Sequence, residues 1–234
     1  MKTWIQKWGI SIYILLLSVH LYAQILGTSF STLQFITKIL LLPTLMLFLA
    51  VQEDAQDAPK GKWLVLFAMF GSFLGDVLLS FDHLFIVGMV AFMTTHVFNI
   101  LMFLKINQFS QSKSNKFKVI AFLLGSFCWF IYFQLKDAMG GLIYPVLIYM
   151  ILICAAALMA IHAGGNSKGA LISKLFWFPG MLFFISSDAV LAFNKFDWSI
   201  HHPIQNIGLI TMLTYGIAQL LLAKGYQLYF TKKD

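Results

Sequence analysis

Eight apolar runs, each long enough to cross a bilayer and joined by short polar connections, limit this chain to a bundle of membrane helices. They lie near 8–26, 30–51, 62–80, 84–104, 117–135, 142–162, 171–193 and 203–223. A helical span needs about 20 mainly apolar residues. Backbone groups in hydrocarbon find no water, so only helices and closed barrels cross it. These runs are too long for barrel strands and lack their alternation. With 11% charged residues, against about 25% in soluble domains, a water-soluble globule is excluded. No polar stretch is long enough for a second unit, so residues 1–234 read as one all-α transmembrane domain. Met1-Lys2-Thr3-Trp4 runs into the first span without a small-residue cleavage site, as expected of a retained span.

The net charge of +7 comes entirely from lysine. Lys2, Lys7, Lys60, Lys62, Lys105, Lys113, Lys116, Lys118, Lys168, Lys174, Lys224, Lys232 and Lys233 fall on one side of the alternating topology, thirteen in all, against Lys136 and Lys195 on the other. The positive-inside rule then puts both termini in the cytoplasm and predicts a multi-pass protein of the cell membrane. No basic–aromatic surface that would read nucleic acid is present, and the sequence carries no signal for oligomeric state.

Two spans each contain an aspartate: Asp76 in Phe73-Leu74-Gly75-Asp76-Val77-Leu78-Leu79, and Asp188 in Phe184-Ile185-Ser186-Ser187-Asp188-Ala189-Val190-Leu191. An ionisable group at bilayer depth is costly and marks a functional site by default. Both spans run outward, and both aspartates lie near the outer ends. The carboxylates are therefore expected at similar depth and able to meet.

Lys38, eight residues into the second span, approaches that depth, where it could pair with a carboxylate, receive a phosphate or snorkel to the surface. Tyr149 lies deeper in the sixth span than Tyr144, which fits an interfacial belt equally well. His96, and Tyr215 with Gln219 four residues on, lie nearer mid-membrane, where helix–helix hydrogen bonding is the plainer reading. Asn194 could line an entrance or cap its helix. Cys128 and Cys154 read as small buried hydrophobes with no disulfide implied. Four of the other five histidines, His83, His162, His201 and His202, lie at or near loops and His20 in the first span, and no HxxxH or HExxH pair occurs, which disfavours a zinc hydrolase.

Two carboxylates a few ångströms apart do not both ionise easily, so one serves as acid and the other as base. Such a pair can protonate an acid-labile ether and activate water, as glycosidases do through an oxocarbenium-like state. In a lipid, the matching bond is a vinyl ether.

The order of motifs resembles the YhhN family of multi-pass membrane proteins. Lys38 with Pro43 is similar to that family's Lys-Pro segment, although Ile39 stands where a proline is expected directly after the lysine. Gly75-Asp76 resembles its Gly-Asp motif, and Gly88, Phe92 and His96 repeat the spacing that follows. Pro145-Val146 with Tyr149, Ser187-Asp188 with Leu191-Ala192 and Lys195-Phe196, and Tyr215 with Ala218-Gln219 complete the series. The resemblance implies a lysoplasmalogenase: hydrolysis of the alkenyl ether of a lysophospholipid to a fatty aldehyde and glycerophosphocholine or glycerophosphoethanolamine. Asp76 and Asp188 would be catalytic, with Lys38, His96, Tyr149, Ser187, Asn194, Tyr215 and Gln219 binding substrate or supporting them. Its partners would be that lipid and the membrane. The chemistry needs no metal or organic cofactor.

Two rivals use the same acids. An intramembrane aspartyl protease would need glycine at 73, where Phe73 stands, and tyrosine at 187. A proton-coupled transporter could relay protons through buried acids and break its helices at positions such as Pro179-Gly180.

Overall fold

The computed structural model describes residues 2–54, 61–108, 115–196 and 206–231. All regular structure among them is helical. The long helices are α1 (Lys2–Ile25), α2 (Ser31–Ala50), α3 (Lys62–Leu78), α4 (Phe85–Ile106), α5 (Asn115–Met139), α6 (Ile143–Ala163), α7 (Ala170–Lys195) and α8 (Ile207–Thr231). Among the described residues, six segments are long and apolar enough to cross a membrane: Lys2–Ile25, Thr28–Ala50, Asp82–Ile106, Phe117–Ala163, Ala170–Lys195 and Ile207–Thr231. The chain is a multi-pass membrane protein. Helix α3, with 17 residues, is shorter than these, and Phe117–Ala163 forms one 47-residue stretch because apolar character continues through its turn.

Several helices outrun the apolar runs that announce them. Helix α1 begins six residues early, and α5 continues through Lys136 to Met139. The eighth run, expected near 203–223, is displaced to Ile207–Thr231, where Lys224 donates to Gln227 across one turn. A helix satisfies its own backbone bonds in water as in lipid, so its ends need not coincide with the hydrocarbon boundary. Gly140 turns α5 into α6 with φ of 51°, a left-handed conformation that glycine adopts without a Cβ penalty. Lys60, Lys113, Lys232 and Lys233, the turn expected at His201-His202-Pro203 and most of the polar loops near 52–60 and 110–116 lie outside the described residues.

Neighbouring helices close a ring in the order α1, α2, α3, α4, α6, α7, α8 and back to α1, while α5 packs on α6 outside it. His20 ties α1 to α2 by bonding the Gln34 carbonyl and the Thr37 hydroxyl, at 3.0 and 2.9 Å. Tyr13 ties α1 to α8 through the Gly216 carbonyl at 2.9 Å. Within α7, a π-turn at Ser173–Trp177 precedes Pro179. Proline offers no N–H to the carbonyl four residues back and its ring crowds that carbonyl; a wider turn relieves both. The turn seats Trp177 against Phe103, Tyr226 and Tyr229, with centroids 5.5, 5.6 and 5.4 Å away.

The cysteines depart from the reading as small buried hydrophobes. Both are half-buried, and their sulfurs lie 2.8 Å apart as free thiols between α5 and α6. Copper phenanthroline, which delivers the oxidising power of dioxygen within a membrane, is therefore expected to join Cys128 to Cys154. Mass spectrometry of the non-reduced digest reads this; thiols that both stay open to alkylation after oxidation would contradict the α5–α6 packing.

Candidate active site

Each aspartate is held by a tyrosine from another helix. Asp76 on α3 is 4% exposed, and its Oδ2 accepts from the Tyr215 hydroxyl of α8 at 2.7 Å. Asp188 on α7 accepts at Oδ2 from the Tyr149 hydroxyl of α6. Tyr149 also bonds Nε2 of His96, on α4, at 3.2 Å. The aspartates do not sit on adjacent helices, but the Phe92 ring lies against Gly75 beside Asp76 and also lines the cavity of Asp188.

Aromatic rings inside the helix ring connect the two ends. Phe92, Phe184 and Tyr215 pack edge to face, with centroid distances of 6.0, 6.0 and 5.5 Å around the triangle. His96 sits 4.9 Å from Phe184 and has no hydrogen-bond partner at Nδ1 among the described residues. The Gly75-Asp76 pair gains a physical reason here. A Cβ on Gly75 would collide with the Phe92 ring, so glycine lets that ring lie on the α3 backbone beside Asp76. Gly88, Phe92 and His96 are four apart and share one face of α4, which turns their spacing into a surface.

Lys38 makes no ion pair with either aspartate among the described residues. Its ammonium donates to the Ser80 hydroxyl at 3.3 Å, and Ser80 in turn donates to the Asp76 carbonyl at 2.9 Å. Gln219 donates to Ser72 at 3.1 Å, and Ser72 shares a hydrogen bond with Thr95. Ser187 donates to the Thr211 carbonyl at 3.0 Å, fastening α7 to α8. Asn194 is exposed at the end of α7, and Tyr144 is 77% exposed, as an interfacial aromatic would be.

Ser72, Ser80 and Thr95 belong to the polar cluster and escaped the reading of the sequence. The signal was there: Ser72, Asp76 and Ser80 recur every four residues and so share one line along the helix. Single hydroxyls carry little weight among apolar residues, because each can satisfy itself on its own helix.

The cavity beside the cluster belongs to Asp188. It measures about 60 Å³ and is lined by Leu79, Phe85, Met89, Tyr149, Asp188 and Phe196 among others, with Asp76 outside the lining. The two acids thus have different surroundings. Asp188 faces a space that a reacting group can enter, while Asp76 stands behind the aromatic rings with Tyr215 and the lysine nearby. An acid at a cavity wall, a tyrosine donating to one of its oxygens and a second acid behind the neighbouring aromatic rings can deliver a proton to a guest and stabilise the cation that results.

No solved structure matches this chain. Among curated proteins, the lysoplasmalogenase TMEM86B of Mus musculus is 29% identical over 167 residues, which cover 70% of this chain. The chain spans 65% of the length of that relative. The family model described as the YhhN family matches residues 33–226, from the start of α2 into α8, and so takes in every residue of the cluster above; the chain belongs to the YhhN family.

Proposed function

We propose that this protein is a lysoplasmalogenase-like ether hydrolase, and that Asp188 is the acid that meets the substrate. The observation that carries the reading is Asp188 at the wall of an apolar cavity, with its Oδ2 held by the Tyr149 hydroxyl. Protonated Asp188 delivers its proton to the outer carbon of the vinyl ether, and the double bond's electrons form that C–H bond. The carbon joined to oxygen becomes an oxocarbenium ion, stabilised by the Asp188 carboxylate and by the charge of Asp76. Water adds to that carbon and returns a proton to Asp188. The hemiacetal then collapses, breaking its bond to the glycerol oxygen, to give a fatty aldehyde and a glycerophospho-alcohol.

Lys38, hydrogen-bonded through Ser80 to the Asp76 backbone, sets its positive charge at the Asp76 end of the cluster rather than binding the substrate. Gln219 and Ser72 brace the same end of the cluster. The cavity is small, so it takes the reacting end of the lipid while the hydrocarbon tail remains in the membrane.

The reading extends to topology: eight crossings, a single domain, both termini cytoplasmic and residence in the cell membrane. A straight 47-residue helix would be about 70 Å long, over twice the hydrocarbon thickness of about 30 Å. The turn at Gly140 therefore supports two crossings there. The transporter alternative finds less support. Helices α3 and Phe178–Lys195 run unbroken through their aspartates, and the π-turn lies some eleven residues before Asp188.

Purified protein in detergent, given a 1-alkenyl lysophosphoethanolamine, is expected to release fatty aldehyde and glycerophosphoethanolamine. In D2O the aldehyde should carry one deuterium on the carbon next to the carbonyl, and in H2-18O the glycerophospho product should carry no label. Intact substrate after prolonged incubation with folded protein would defeat the proposal. Label in the glycerol oxygen would defeat the mechanism.

A further inference from the structure

Beyond the acids, the mouth of the Asp188 cavity holds a cation whose position suits an anionic ligand. We propose that Lys195 is the anchor for the phosphate of the lysophospholipid and that Asp82 is its resting counter-ion. This rests on the hydrolase reading above and adds to it the group that recognises the polar end of the substrate.

Lys195 ends α7, seven residues after Asp188, on the same helix face. Two helical turns correspond to a rise of about 10 Å, and helical side chains lean toward the N-terminus, which brings the long lysine back toward the aspartate. In the lipid, six bonds separate phosphorus from the vinyl carbon next to the ether oxygen, an extended reach of about 7 Å at ordinary bond lengths. A lipid whose vinyl ether meets Asp188 therefore carries its phosphate to the level of the Lys195 ammonium.

The surroundings of that ammonium fit the task. It sits 4.9 Å over the ring of Phe85, and Phe85 packs edge to face on Phe196 at 6.2 Å. Both rings line the Asp188 cavity. Ring attraction thus holds the cation above the opening. Its partner, Asp82 Oδ1 at 3.2 Å, is fully exposed in the short turn before α4. An ion pair this exposed contributes little to stability, so a phosphate can replace the carboxylate at small cost. Lys38, by contrast, is engaged with Ser80 on the Asp76 side.

Binding to the full-length protein tests the anchor without any need for turnover. The probes are a 1-O-alkyl lysophosphoethanolamine, whose saturated ether is inert, and the matching 1-O-alkylglycerol, which lacks phosphate. Wild type should bind the phosphate-bearing probe more tightly. Lys195→Met should weaken that probe alone by about tenfold to a hundredfold, the range for a hydrogen bond to a charged group. Lys195→Arg should retain most of the affinity, and Asp82→Asn should bind as well as wild type or better. The anchor is overturned if wild type does not prefer the phosphate, if Lys195→Met binds both probes as wild type does, or if it weakens both equally. In turnover, Lys195→Met should raise KM for the alkenyl lysophospholipid with little change in kcat. Should wild type hydrolyse no vinyl ether, the hydrolase reading falls, and the binding comparison still decides whether Lys195 holds a phosphate.

Discussion

Replacing Asp188 with asparagine is expected to lower aldehyde release from a 1-alkenyl lysophospholipid by about 10²- to 10⁴-fold, the usual contribution of a general acid. Asparagine has nearly the same shape and still accepts the Tyr149 hydrogen bond at its oxygen, so the fold should survive while the transferable proton is lost. Asp76→Asn separates the two acids. Its oxygen still accepts from Tyr215, but the negative charge behind the aromatic rings is gone, and a loss of about tenfold or more is expected because charge stabilisation acts strongly away from water. Rates measured beside melting temperatures distinguish these losses from unfolding. If both variants turn over at the wild-type rate, neither carboxylate takes part. If Asp76→Asn fails completely while Asp188→Asn stays active, the two roles are reversed.

The second large effect concerns stability. Trp177→Ala should destabilise the protein by about 3 kcal/mol, the lower end of the range for large aromatic truncations. The lower end applies because lipid is itself apolar, so helix association rests on packing rather than on escape from water. Trp177 is fully buried against Phe103, Tyr226 and Tyr229, and alanine would empty that space. Trp177→Phe should cost clearly less. It keeps most of the ring contact and removes an indole N–H that has no hydrogen-bond partner among the described residues, a group that costs free energy when buried. Equilibrium unfolding in mixed micelles gives the order; a phenylalanine variant as unstable as the alanine one would mean that the indole nitrogen finds a partner the packing does not provide.

Much of the site could be read from residue order because each signal was local. Asp76 and Asp188 stood out as costly charges among apolar neighbours, and Tyr215 with Gln219 stood out by their four-residue spacing. Lys38 stood out as a charge inside an apolar span, but its contact with Ser80 depends on how α2 meets the end of α3. Ser187 was grouped with the site because it precedes Asp188. One residue along a helix turns a side chain by about 100°, and that rotation sends it to Thr211 instead.

Taken alone, the sequence determined that the chain lies in a membrane as a helical bundle and that two acids within it need a reason to exist. Those conclusions follow from the energetic cost of unpaired backbone and charge in hydrocarbon, which depends on composition and spacing. Only the tertiary structure decided which groups meet those acids: Tyr215 for Asp76, Tyr149 with His96 for Asp188, and a cavity that opens on Asp188 alone. These pairings join residues 39 to 139 positions apart. They follow from how the helices are arranged around the ring and how each is rotated about its axis. Apolar faces on every side, packed in an apolar solvent, leave little trace of that order and rotation in the hydrophobic pattern.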